Sequence, residues 1–214
     1  MIVARRFRPL RVADIPNLPE PCARCAFWES SLSDLVSPAE SRDSSKVKLE
    51  WAEAVTARWG HCGVLALDDG EPIGFLTVAP ASMVPRLGGF STTPASSDAA
   101  VLMAVQVVDA WQRKGIGRQL VSSVASLLVR RDIRALEAIG TNREGPSCMT
   151  PTPFLESVGF TVVRPHPVTP RLRMDLQSTQ RWIPDLGAAW NRLTGLVVQP
   201  ASPEPAAYVH RDHA

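Results

Sequence analysis

Val101-Leu102-Met103-Ala104-Val105-Gln106-Val107-Val108 leads, three residues later, into Gln112-Arg113-Lys114-Gly115-Ile116-Gly117-Arg118. The first run is strongly apolar and reads as a buried strand. Beyond the second, Gln119 to Arg130 bring Leu120, Val121, Val124, Leu127 and Leu128 onto one helical face. The glycine-bearing run therefore falls at a strand-to-helix turn, where a helix start offers unpaired N–H groups and the positive end of its dipole. Gly115 and Gly117 lack a Cβ, so an anion can approach the main chain, and Arg113, Lys114 and Arg118 add positive charge. This arrangement predicts a cradle for a pyrophosphate.

Around that turn, the 214-residue chain has room for one well-buried domain and an extension, at roughly 100–200 residues per domain. Its composition, 45% hydrophobic and 21% charged, is that of an ordinary globular protein. No apolar stretch approaches the roughly 20 residues that span a bilayer, so no membrane partner is expected. The N-terminus places Met1-Ile2-Val3-Ala4 before Arg5-Arg6 and lacks the apolar core of a secretory signal, which predicts a cytoplasmic protein. A formal charge of +2 is too small to mark a general nucleic-acid binder. The later basic residues Arg130, Arg131 and Arg134 read as a solvated helix end, favourable at the negative pole of the dipole.

Along the chain, Ile2 to Phe7 reads as an opening strand, followed by an irregular stretch broken by Pro16, Pro19 and Pro21. Lys46 to Trp59 reads as a helix with Val47, Trp51, Ala54, Val55 and Arg58 on one face and Gly60 at its end. Two strands, Cys62 to Leu67 and Pro72 to Val78, flank the turn signal Asp68-Asp69-Gly70-Glu71. Pro80 to Ser97 is a long loop of the kind that forms lids or binding loops. Ala135 to Gly140 reads as a strand, Pro153 to Val158 as a short helix closed by Gly159, and Phe160 to Arg164 and Arg171 to Leu176 as two more strands. Asp185 to Leu196 is expected to add a helix. Trp182, Trp190 and Leu193 give that extension apolar surface, packed on the domain or, in a minority reading, at a dimer contact. The pattern is mixed α/β.

With these segments in place, the chain resembles the GNAT superfamily of acetyl-CoA-dependent N-acetyltransferases. The signature is a strand, then Gln or Arg, two residues, Gly, one residue, and Gly or Ala opening a helix, which Gln112, Gly115 and Gly117 match. Phe154-Leu155-Glu156-Ser157-Val158-Gly159-Phe160 is similar to the family's later short helix, and Pro21-Cys22-Ala23-Arg24-Cys25-Ala26-Phe27-Trp28-Glu29 resembles the N-terminal segment of one bacterial subgroup. The resemblance implies an α/β (α+β) fold: a splayed, mixed, mostly antiparallel sheet flanked by helices, with a C-terminal extension. Residues 1–176 would form the N-acetyltransferase domain, 177–198 a helical extension and 199–214 a disordered tail. The pantetheine arm of CoA would lie between the strands ending near Val107 and Gly140, paired with backbone groups of Val107 and Val108. Gln112, Arg113, Lys114, Gly115, Ile116, Gly117 and Arg118 would hold the pyrophosphate. A backbone N–H near Val107 would polarise the thioester carbonyl.

Direct transfer to an amine also needs a base for the amine's proton, and an acid for the departing thiolate helps. Many family members place a Tyr where this chain has Leu155, and the only tyrosine, Tyr208, is in the tail. Cys148 is then a candidate acid, against the commoner reading of a loop cysteine, with solvent as the alternative. Glu29, beside the apolar Phe27 and Trp28, and Glu137, in the strand bordering the acetyl site, are candidate bases. A structural ion pair is the commoner role for either. Cys22 and Cys25 have C-x-x-C spacing that His61 and Cys62 would extend to a zinc site only with adjacent ligands, so no metal requirement is expected. A catalytically silent CoA-binding or regulatory module is the competing function. A Rossmann domain fits less well, because the glycines are not spaced G-x-G-x-x-G. The acceptor, a small-molecule amine or a protein, and the choice of monomer or homodimer stay open.

Overall fold

The computed structural model describes residues 5–33, 43–145 and 147–176. Among the described residues, eight strands form one sheet. They are β1 (Arg6–Pro9), β2 (Gly63–Asp68), β3 (Glu71–Pro80), β4 (Ala99–Val107), β5 (Ala135–Thr141), β6 (Thr150–Pro151), β7 (Thr161–Arg164) and β8 (Arg171–Asp175). The order is β1-β2-β3-β4-β5-β8-β7, with β6 beside β5. Neighbours are antiparallel except β4–β5 and β5–β6, which are parallel. Asp69 and Gly70 close the β2–β3 hairpin at φ of 50° and 87°, the left-handed pair that matches strand twist.

Two layers cover the sheet. Helix α2 (Ile116–Val129) and the short α3 (Thr152–Ser157) pack on one face, where Leu120, Val124 and Leu128 meet Leu76, Leu102 and Leu136. Helix α1 (Ser44–Trp59) and the N-terminal segment pack on the other, where Trp28, Trp51 and Val55 meet Leu65, Phe75 and Ile139. Asp43 caps α1 by accepting a bond from Ser45 N at 2.9 Å, and Gly60 ends it at φ 88°.

The expected mixed, mostly antiparallel sheet flanked by helices is the fold observed. The buried stripe of α1 differs from expectation: it is Lys48, Trp51, Ala52 and Val55, whereas Ala54 and Arg58 are exposed. Lys48 is inside because it meets Glu29 there. The loop from Pro80 to Ser97 is pinned along its length and lines neither of the two clefts described below. Met83 O accepts from Trp51 Nε1 at 2.8 Å, Arg86 Nε donates to Phe27 O at 2.8 Å, and Thr92 O accepts from Arg171 Nε at 2.8 Å. The predicted helix at 185–196, Trp182, Trp190, Leu193 and Tyr208 lie outside the described residues. Among the described residues no helix is long and apolar enough to cross a membrane.

Candidate active site

The site begins with a fault in the sheet. β4 pairs with β5 only from Ala99↔Ala135 to Leu102↔Ala138, and beyond that the two strands part. The parting coincides with a bulge: Thr77 faces Ala104 and Val78 faces Leu102, leaving Met103 as the extra residue in β4. Antiparallel backbone groups point alternately towards and away from a neighbouring strand. Val108 N donates to Ile73 O at 3.0 Å, towards β3, so the N–H and C=O groups of Val105 and Val107 point the other way, into the gap.

This alternation corrects the assignment of Val108. Its N–H is held by Ile73, its carbonyl accepts from Trp111 N at 2.8 Å, and it does not line the gap. Val105 takes its place beside Val107 and was missed because strand direction, not residue type, decides which amides face out.

The gap opens into a cleft of about 620 Å³. One wall is the turn into α2. The first α-helical bond there is Gln119 N to Gly115 O, at 3.1 Å, so the amides of Gly115, Ile116, Gly117 and Arg118 have no partner inside the helix. Gly115 adopts φ 80° and Arg113 φ 56°, and Gly115, Ile116, Gly117 and Arg118 all line the cleft. Gly117 is needed for another reason: a Cβ there would stand 2.9 Å from the Phe154 ring, which lines the opposite wall. The two sequence segments that suggested the cofactor thus meet in space.

Of the predicted cradle, Val107, Gln112, Arg113, Gly115, Ile116, Gly117 and Arg118 line the cleft. Lys114 does not, and its ammonium sits over the Trp111 ring at 4.8 Å. Gln112 Nε2 donates to Val107 O at 3.1 Å and to Asp109 Oδ1 at 2.9 Å, bracing the turn. Arg118 Nη2 donates to Ser157 O at 2.6 Å, tying α2 to the end of α3. The donor set of helix amides, Arg113 and Arg118 fits a pyrophosphate, and the outward edge of β4 fits an arm bearing amides.

On the other side of β4 lies a hollow of about 20 Å³, the size of one water molecule. Gln106 borders both spaces. Glu29, Lys48, Trp28, Cys25 and Cys148 line the hollow. The Glu29 carboxylate, with 1% of its side chain exposed, has Oε1 paired with Lys48 Nζ and Oε2 buried without a protein partner. Trp28 Nε1 donates to Cys148 O at 2.9 Å.

Glu137 is placed differently. It sits opposite Val101, where β4 and β5 are still paired, and lines neither space. Its oxygens accept from Ser96 N at 3.1 Å, Ser96 Oγ at 2.5 Å, Arg171 Nη1 at 2.5 Å and Arg173 Nη1 at 3.4 Å. Leu155, at the position where a tyrosine was sought, is fully buried in the α2 layer, and the neighbouring Phe154 faces the cleft instead.

The cysteines do not assemble as the spacing allowed. Cys25 Sγ lies 3.0 Å from Cys148 Sγ, Cys62 Sγ donates to Leu10 O at 3.9 Å, and His61 packs on the Trp59 ring. Among the described residues no group of three or more His, Cys, Asp and Glu side chains is disposed to hold a metal ion. The Cys148 thiol is held well above its ordinary value, first by the bond to Cys25 and then by burial. The same bond lowers Cys25, and Cys148 lines the small hollow rather than the cleft where a thiolate would depart.

Comparison with known proteins bears on the family and the fold. The model of the acetyltransferase (GNAT) family matches residues 25–147, over half of the chain. The PaiA N-acetyltransferase of Thermoplasma acidophilum, solved in complex with coenzyme A, is 15% identical with a TM-score of 0.54, over 80% of this chain and 99% of that one. An N-acetyltransferase from Staphylococcus aureus Mu50 is 14% identical with a TM-score of 0.53, over 81% and 99%. YncA of Salmonella typhimurium, a putative acetyltransferase solved with its cofactor acetyl-CoA, is 18% identical with a TM-score of 0.52, over 81% and 94%. No curated protein matches the chain in sequence.

Proposed function

The chain belongs to the acetyltransferase (GNAT) family, and we propose that it transfers acetyl from acetyl-CoA directly to an amine of a small molecule or a protein. The observation that carries this reading is the free edge of β4 beside the start of α2: amides of Val105 and Val107 face the same cleft as the amides of Gly115 to Arg118. Acetyl-CoA supplies the acetyl group as an activated thioester. Helix amides, Arg113 and Arg118 hold the pyrophosphate, and an outward amide of β4 polarises the thioester carbonyl. Gln106, which borders both spaces, marks where the acetyl group and the acceptor meet.

Glu29 is the carboxylate beside the acceptor hollow, and its buried, unpartnered Oε2 takes the amine's proton through one water. The departing thiolate takes a proton from solvent at the open cleft. The segment Cys22 to Glu29, which resembles one bacterial subgroup of the family, builds the acceptor-side wall. A silent CoA-binding module is the second reading, favoured by the buried Leu155.

Two measurements on the full chain separate them. Titration calorimetry with CoA is expected to show binding that Arg113→Glu weakens by about tenfold or more, the loss of a charge-assisted contact. Thiol release from acetyl-CoA in the presence of a panel of amines, with mass spectrometry of the N-acetyl product, is expected for at least one amine. CoA binding without release for any amine leaves the silent module, and unchanged affinity in Arg113→Glu removes that residue from the cradle.

A further inference from the structure

Cys25 and Cys148 are 123 residues apart in sequence, yet their sulfurs are 3.0 Å apart and both residues line the acceptor hollow. Cys25 closes the turn Cys22–Arg24 of the N-terminal segment, and Cys148 lies between β5 and β6. Both are half-buried, within reach of a small reagent. The segment carrying Cys148 borders both spaces, since Ser147 and Met149 line the cofactor cleft. It is held to the rest of the site by non-covalent contacts, including Trp28 Nε1 on Cys148 O and Gln106 Nε2 on Ser147 O at 3.5 Å.

The hollow as it stands has room for about one water. An acceptor larger than water fits only if walls of the hollow move apart, and two of those walls are Cys148 and the N-terminal segment from Cys22 to Glu29. We propose that Cys25 and Cys148 form an oxidation-sensitive dithiol latch on the acceptor entrance, closed by hydrogen peroxide as a disulfide and reopened by a thiol reductant.

Chemically, the Cys25 thiolate attacks one peroxide oxygen, the O–O bond breaks, and the departing hydroxide takes a proton to leave as water. This leaves a sulfenic acid on Cys25. The Cys148 sulfur then attacks the Cys25 sulfur, and the hydroxyl leaves as a second water with the Cys148 proton. Both thiols are oxidised and one peroxide is reduced. The sulfurs need to approach by about 1 Å to reach bonding distance. Lowering of the Cys25 thiol by its bond with Cys148, helped by the Phe27 backbone and then by Lys48, favours Cys25 as the attacking group.

The effect on turnover rests on the transferase reading, whereas the crosslink and its effect on mobility do not. The test uses the full reduced chain, treated with stoichiometric hydrogen peroxide. Peptide mapping is expected to show a Cys25–Cys148 crosslink, and hydrogen exchange at residues 147–149 to slow. Acceptor turnover falls by about tenfold as the open, acceptor-competent fraction shrinks, while CoA affinity is kept. Dithiothreitol reverses all of it, and in Cys25→Ser the ratio of rates before and after peroxide stays near one. No crosslink, a Cys22–Cys25 crosslink, or a Cys25–Cys148 crosslink with unchanged exchange or unchanged turnover overturns the latch. If the reduced protein releases no CoA with any amine, the transferase reading fails alone, and mapping and exchange still decide the latch.

Discussion

The buried pair of Glu29 and Lys48 sets what a mutation at the proposed base can report. Neither charge is solvated, so removing one strands the other at a cost of about 3–5 kcal/mol, whereas replacing both with apolar or neutral groups is often close to neutral. Glu29→Gln and Lys48→Met are each expected to lower stability by that amount in urea denaturation. The double variant is expected to recover most of it. Transfer measured in the folded double variant is then the informative number: loss of about 10²-fold or more is expected of a general base. A double variant that is stable and fully active removes Glu29 from the chemistry. The pairing itself was hidden in the sequence, because a lysine on a helix reads as solvated until the carboxylate that draws it inside is known.

At the scale of elements, β5 carries the contrasting glutamate. Glu137 anchors Arg171 and Arg173 of β8 and reaches Ser96, so it joins the loop after β3 to the far half of the sheet. Glu137→Gln removes the charge that two arginines face and is expected to destabilise the fold by about 3–5 kcal/mol. The rate of transfer per folded molecule is expected to stay within a few-fold of wild type. A hundredfold fall at full folding, checked by circular dichroism alongside the assay, would place Glu137 in the reaction.

Elements also show where sequence reading stopped. The apolar run of β4, the stripe of α2 and the Asp69-Gly70 turn were legible because period, burial and turn chemistry are local. The bulge at Met103 was not, since it exists only against β3, and with it went the choice of Val105 over Val108. The loop 80–97 misled in the same way. Its composition is that of a lid, but Trp51, Phe27 and Arg171 pin it from three other segments.

Across the whole molecule, the two helical layers meet at one cluster: Trp59 at the end of α1, His61 just before β2, and Arg131 beyond the end of α2. Trp59 packs against both halves of the core, with the His61 ring 4.6 Å away on centroids and the Arg131 guanidinium 4.7 Å from its own ring. His61 is buried and neither ring nitrogen has a partner. Burial, helped by the Arg131 charge, pushes the imidazole down from 6.5 to about 4. Between those values the unfolded chain binds a proton that the folded chain refuses, so acidification favours unfolding. The contribution of His61 is complete above pH 6.5, falls as pH drops towards 4, and reaches at most about 3 kcal/mol before solvent screening is discounted. Asp14 and Asp98, both lowered from 3.8 in contact with arginines, act in a separate window below that value. Urea midpoints measured from pH 7.5 to 4 are expected to fall for wild type and to flatten in His61→Leu, which has no proton to take up. A wild-type profile with no slope between 6.5 and 4, or an equal slope in His61→Leu, would show that the junction between the layers does not hold this imidazole neutral.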